Sequence, residues 1–206
     1  GTLGLIPTGG ATITADPQSF LNSYTEVGPP DITITALVPA DFTVDSTADD
    51  SDANPGDDIC ATAGGQCTLR AAIEEANASA GLNNIDFNIP AAGVQTIAVT
   101  SPLPTITDPV TIDGYTQPGA SANTQAVGGD AVLLIRLDGS GAGDGARGLV
   151  LTTNNSTVRG LVISNFNLGN SGGRAGTGIT INGDGNTIAG NYIGTNAAGT
   201  AVESFV

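Results

Sequence analysis

Asn155-Ser-Thr-Val-Arg-Gly-Leu-Val-Ile-Ser-Asn165 and Gly185-Asn-Thr-Ile-Ala-Gly-Asn-Tyr-Ile193 share one plan: a turn introduces β-branched residues, a Gly follows, and then a second short strand. Two such strands per coil, at roughly 20 to 30 residues per full turn, are what a parallel β-helix requires. Upstream, similar pieces run over Ile85 to Ile89, Thr96 to Val99, Val110 to Ile112, Val132 to Leu137 and Leu149 to Leu151. Downstream of them lie Val158 to Ile163, Gly178 to Ile181 and Thr187 to Ile193. Every piece is short and ends in Gly, Asn, Asp or Pro, whereas a sandwich would show longer alternation joined by hairpin turns. Gly supplies 30 of the 206 residues, about twice the usual share. Tight corners explain this excess, because Gly and Asn tolerate a left-handed backbone. The expected fold is therefore all-β, a parallel β-helix (solenoid) over residues 85–206.

Working outward, Thr68-Leu-Arg-Ala-Ala-Ile-Glu-Glu-Ala-Asn-Ala78 breaks the strand pattern. Its apolar positions Leu69, Ala72, Ile73 and Ala76 follow helical spacing, with Thr68 as N-cap and Gly81 as the stop. Residues 41–84 thus form a cap carrying the helix. Residues 1–40 alternate with period two over Ala11 to Ala15 and Asp31 to Val38, punctuated by Pro7, Pro17, Pro29 and Pro30. They read as an extended N-terminal arm without a local strand partner.

Composition closes many routes to function. The chain has no His, Lys, Met or Trp. A Ser-His-Asp or Cys-His site, a His-ligated metal, a Schiff-base lysine and a P-loop each require one of the missing residues. Five Arg against 20 acidic residues give a formal charge of −15, which repels phosphate backbones and anionic headgroups. Nucleic acid is therefore excluded as a partner, and with no run of 18 apolar residues membrane insertion is too. The chain starts at Gly1 without an initiator Met or a basic n-region, which fits a processed, exported protein.

The strongest chemical signal is Asp49-Asp-Ser-Asp-Ala-Asn-Pro-Gly-Asp-Asp58. Asp50, Asp52, Asn54, Asp57 and Asp58 place oxygen ligands around a Gly turn, as an EF-hand loop opens. Position 12, however, is Ala61 rather than a bidentate Glu. A variant structural calcium loop is expected, against the alternative of a solvated acidic loop steadied by Arg70. Cys60 and Cys67 are expected to form a disulfide closing a short loop, worth about 2.5 kcal/mol on the chain-entropy model. Two free thiols or half a metal site is the other reading, for which further Cys or His ligands are lacking. Asp113-Gly, Asp138-Gly and Asp184-Gly read as turn residues rather than catalytic carboxylates, with Arg136 and Arg159 on nearby strands. Asn77, Asn154 and Asn155 begin Asn-x-Ser/Thr sequons.

Cys60-Ala-Thr-Ala-Gly-Gly-Gln-Cys-Thr-Leu-Arg-Ala-Ala-Ile-Glu-Glu-Ala-Asn77, preceded by Phe42 to Asp49 and the acidic loop, resembles the CSLREA-domain family. The resemblance continues through Ile85 to Ile89, Leu103 to Ile106, Thr111 to Gln117 and Asn191 to Thr195, covering roughly residues 41–200. Where the family has Ser-x-x-Glu, this chain has Thr68 and Ala71, which removes the reciprocal half of a capping box. The resemblance implies a secreted or cell-surface protein in which this module precedes a right-handed parallel β-helix.

The resulting functional expectation is a non-catalytic extracellular structural or adhesive protein, contacting surface glycans or itself. The chain ends at Ala201 to Val206 after a coil and without a second capping helix, so the arm is expected to join subunits head to tail in a filament, the alternative being a piece of a longer solenoid whose further coils supply the cap. The competing reading is a carbohydrate-active β-helix enzyme, a polysaccharide lyase or glycosidase. Three Tyr, no Trp and no paired-carboxylate motif argue against it.

Overall fold

Short apolar stretches bounded by Gly, Asn and Asp give a chain of brief strands. The computed structural model describes residues 39–166 and 176–203, within the unit running from Val38 to Val206. The arm expected over residues 1–40 lies outside the described residues except for its last two. The elements in order are β1 (Asp41–Val44), α1 (Leu69–Ala78), β2 (Asn83–Phe87), β3 (Gln95–Ala98), β4 (Val110–Asp113) and β5 (Ile135–Asp138). β6 (Arg147–Leu151), β7 (Thr157–Arg159), β8 (Leu161–Ser164), β9 (Thr177–Ile181), β10 (Thr187–Ala189) and β11 (Tyr192–Ile193) follow.

Every pairing between these strands is parallel. One sheet has the order β1-β2-β4-β7-β10, a second β11-β8-β5-β3, and a third holds β6 and β9. Register aligns like with like: Phe42, Ile85, Ile112, Val158 and Ile188 oppose one another in sequence across the first sheet. Ile97, Leu137, Ile163 and Ile193 do so across the second. Up to Val158 in the first row and Ile163 in the second these residues build the core, each fully buried Ile, Leu or Val contributing about 1.5–3 kcal/mol, while Ile188 is partly buried and Ile193 exposed. A register slip of one residue would turn a whole row outward, so the apolar alternation fixes the pairing.

This architecture corrects the expected all-β, right-handed parallel β-helix. The described residues form three parallel sheets and one helix, an α/β-like arrangement, and no closed solenoid is found among them. Short strands separated by corners specify parallel return of the chain, and any fold with crossover connections shares that local pattern. The helix is also more than an end cap, since seven of its ten residues are buried.

α1 begins where expected. Thr68 is its N-cap, with the side-chain oxygen accepting from the Ala71 N–H at 3.0 Å. Its end comes before Gly81, at Ser79, whose N–H donates to the Glu75 carbonyl. Leu69, Ala72, Ile73 and Ala76 join the core beside Phe42, Val44 and Ile85. Arg70, Ala71 and Glu75 are buried as well, so the helix is covered on more than its apolar face.

Candidate functional site

The second cover of α1 is the acidic loop, and the helix's own polar side chains hold it there. The Glu74 carboxylate accepts from the Asp52 N–H at 2.7 Å, and Glu75 accepts from the Gly56 N–H at 2.9 Å and the Asp57 N–H at 3.3 Å. Thr68 donates its hydroxyl to the Asp50 carbonyl at 2.6 Å. Asp52 turns inward and accepts from the N–H groups of Asn54 and Ala61, closing the loop on itself. At the far end Cys60 and Cys67 are joined in the expected disulfide, their Cα atoms 5.1 Å apart.

Arg70 is the central node of this unit. Its guanidinium meets the Asp49 carboxylate at 2.8 and 3.1 Å, with side-chain exposures of only 8% and 3%. It also donates to the carbonyls of Ser101 and Pro102 at 2.9 Å. Asp49 in turn accepts from the N–H and hydroxyl of Thr100, both at 2.8 Å. One buried ion pair thus ties loop, helix and the 100–102 segment together, and every polar atom of it has a partner. Charge-assisted, bidentate bonds of this kind are stronger than neutral ones.

The residues expected to ligate calcium differ in their surroundings. Asp52 is buried with both oxygens engaged, while Asp50, Asn54, Asp57 and Asp58 are exposed. Asp57 accepts from the Ile59 N–H and Asp58 from the Ser79 hydroxyl. Among the described residues no group of three or more His, Cys, Asp or Glu is arranged to hold a metal ion. The Asn77 side chain, in the first sequon, bridges the Thr105 carbonyl and the Thr107 N–H.

Burial pushes the Glu75 carboxyl above the ordinary glutamate value, and nearby Asp52 and Asp57 push the same way against the Gly56 and Asp57 N–H bonds. A raised carboxyl binds its proton more tightly in the folded chain. Its stabilising contribution is complete below the unfolded-state pKa and is lost as pH rises through the folded one. Glu75→Gln is therefore expected to flatten the fall of stability with rising pH across that window. Urea unfolding at a series of pH values measures it. A slope identical to that of the wild type would show that Glu75 does not titrate as described.

Charged residues form two further clusters, both built on Asp-Gly turns. Asp113 caps a short 3-10 turn by accepting from the Tyr115 N–H at 3.0 Å, and its second oxygen accepts from Arg159 at 2.6 Å. Asp138 caps the next such turn through the Ser140 N–H. Arg136 lies 3.5 Å from Asp138 and 2.7 Å from Glu203, with the Ser164 hydroxyl donating to Glu203 at 3.0 Å. Burial alone would raise the Asp138 carboxyl, but bonds from Asn165 and Ser140 and the Arg136 charge bring it below the ordinary value. Burial, with Asp113 and Asp41 nearby, holds Asp86 above its own, against the pull of Arg159. The turn reading of Asp113 and Asp138 is thus met, and Arg159 and Arg136 are their ion-pair partners.

Compared with known proteins, the chain matches no family model, no curated protein and no solved structure. The site's chemistry therefore rests on its own geometry. Beside Asp113 and Arg159 opens a cleft of about 470 Å³ whose walls include Tyr115 and Tyr192. Sequence reasoning overlooked it, because the two tyrosines lie 77 positions apart (192 − 115) and only long-range pairing brings them to one place. It also overlooked Glu74 and Glu75 as holders of the loop. Their signal was two acidic residues beside the apolar stripe of the helix.

Among the described residues no helix is long and apolar enough to cross a membrane. The disulfide is compatible with an oxidising, extracellular setting.

Proposed function

We propose that this protein is a non-catalytic structural or adhesive protein, secreted or held at the cell surface. The observation that carries the reading is the use made of its carboxylates. Asp49, Asp52, Glu74, Glu75, Asp113 and Asp138 each accept a backbone N–H, and Asp49, Asp113 and Asp138 also pair with an arginine. A glycosidase instead needs two carboxyls facing a substrate, one of them poised to exchange a proton. The resemblance of Cys60 to Asn77 to the CSLREA family supports the same setting.

Incubating the purified protein with acidic and neutral polysaccharides, with and without calcium, tests the non-catalytic reading. No new reducing ends and no unsaturated uronates are expected. Release of either would make the protein a hydrolase or a lyase.

Two further parts of the proposal carry their own tests. Calcium at Asp50, Asp52, Asn54, Asp57 and Asp58 would stabilise the folded state by mass action, so chelation should lower the melting temperature. Unchanged melting, with no calcium found by elemental analysis, removes the ion from the account. Head-to-tail self-association would add the period-two segments of residues 1–40 to the outermost strands β9, β10 and β11, where Ile181 and Ile193 are 46% and 44% exposed. Light scattering of the whole chain and of a chain lacking residues 1–40 decides it. A monodisperse monomer, or equal assembly of both, contradicts the arm's role.

A further inference from the structure

Resting on the adhesive reading above, we propose that the cleft between Tyr115 and Tyr192 is a binding site for a neutral saccharide, a sugar ring lying against a tyrosine face. Its shape is fixed by glycine. The Tyr115 ring lies so close over Gly160 that a Cβ there would fall 2.9 Å from the ring carbons, and its hydroxyl donates to the Gly190 carbonyl at 2.8 Å. Both glycines have a left-handed backbone, φ +74° and +63°, and a Cβ on Gly190 would collide with the Tyr115 hydroxyl. The tyrosine is thereby held at two glycine turns of the chain, its ring against Gly160 and its hydroxyl at Gly190, while staying only partly buried. Tyr192 stands beside it, close enough that its phenol, after burial, helps raise the Tyr115 phenol above its ordinary value.

A tied loop also lines the cleft, through Asn123, Gly128 and Gly129. Asp130 accepts from the Thr124 N–H and hydroxyl at 2.7 and 2.6 Å, and the Asp130 N–H returns to the Asn123 side chain at 3.0 Å. A preformed concavity of this kind lowers the ordering cost of binding. Its volume falls within the range of ligand pockets, about 300–1,000 Å³.

Charge selects the class of ligand. Arg159 is half exposed and supplies hydrogen-bond donors at the cleft, but its charge is already balanced by Asp113 at 2.6 Å. Asp86 and a net charge of −15 add a negative field. An anionic sugar would meet repulsion, whereas a neutral one offers hydroxyls to the guanidinium and a C–H face to the phenol rings.

The test uses the whole chain and neutral hexasaccharides of glucose, xylose, mannose and N-acetylglucosamine, with oligogalacturonate as the anionic comparison. Without Trp, intrinsic emission comes from three Tyr, of which Tyr115 and Tyr192 line the cleft, and calorimetry gives the affinity. At least one neutral hexasaccharide is expected to bind saturably. Tyr192→Ala should weaken it by about tenfold or more, and Tyr192→Phe, which keeps the ring, should retain it. Gly129→Leu gives a second probe that fills the mouth of the cleft, since a Cβ there meets nothing nearer than the Tyr192 hydroxyl at 3.9 Å. It should weaken binding to a similar degree. No binding by any neutral sugar, binding by oligogalacturonate alone, or binding unchanged in both Tyr192→Ala and Gly129→Leu would overturn the site. Cleavage of a bound sugar would overturn the non-catalytic reading and leave the site standing.

Discussion

Arg70→Ala is expected to destabilise the protein by about 3–5 kcal/mol, the cost of leaving one partner of a buried ion pair uncompensated. The removed guanidinium is 8% exposed and Asp49 only 3%, so water cannot simply replace the lost charge. The substitution also strips donors from the carbonyls of Asp49, Ser101 and Pro102. Three stretches of chain lose their common anchor at once. Urea denaturation of Arg70→Ala, Asp49→Ala and the double variant forms a cycle in which the double variant should be less damaged than the sum of the singles. Additive losses, or an Arg70→Ala loss below about 1 kcal/mol as for an exposed pair, would mean that the pair does not hold the cap.

Ile73→Asp should have a still larger effect, because it places an unpaired carboxylate where the apolar face of α1 meets the core. Ile73 is 1% exposed and clusters with Leu69, Ala72, Ile85 and Phe87. An ionised carboxyl there has no donor to accept from, and desolvation of a lone charge exceeds the whole stability of many domains. The chain is expected to lose cooperative unfolding or to aggregate. Ile73→Ala, which leaves only a cavity, should cost about 2–5 kcal/mol and keep the fold. Far-UV circular dichroism during heating distinguishes the two. A soluble Ile73→Asp variant that melts normally would place the helix face elsewhere.

What could be read in advance follows from the range of the interactions. The helix was legible because Thr68 and the spacing of Leu69, Ala72, Ile73 and Ala76 act within a few residues. Its stretch ends at Ala78 as read, but the stop is Ser79, which closes the last turn through a backbone bond before Gly81 is reached. Within Val158 to Ile163 the plan of a strand, a Gly and a second short strand is met, for Gly160, at φ +74°, turns the chain, but that plan did not show that β7 and β8 join different sheets. Gly190 turns the chain likewise between β10 and β11. A period-two pattern records which side a residue faces, not which sheet its strand joins. The disulfide, the only cysteine pairing available, and the turn roles of Asp113 and Asp138 were also local matters. The Glu75 contacts with Gly56 and Asp57 and the meeting of Tyr115 with Tyr192 are long-range, and no spacing in one sequence announces them.

Native-state hydrogen exchange tests most directly that the carboxylates serve the fold rather than a reaction. The amides of Asp52, Gly56, Ala61 and Thr100 donate to Glu74, Glu75, Asp52 and Asp49 respectively. If loop, helix and ion pair form one cooperative unit, these amides open with nearly the free energy of those in β2 and β4. Arg70→Ala should then speed all four together. Exchange at the rate of an unstructured peptide in these four, while β2 and β4 stay protected, would show a loop that the carboxylates do not hold.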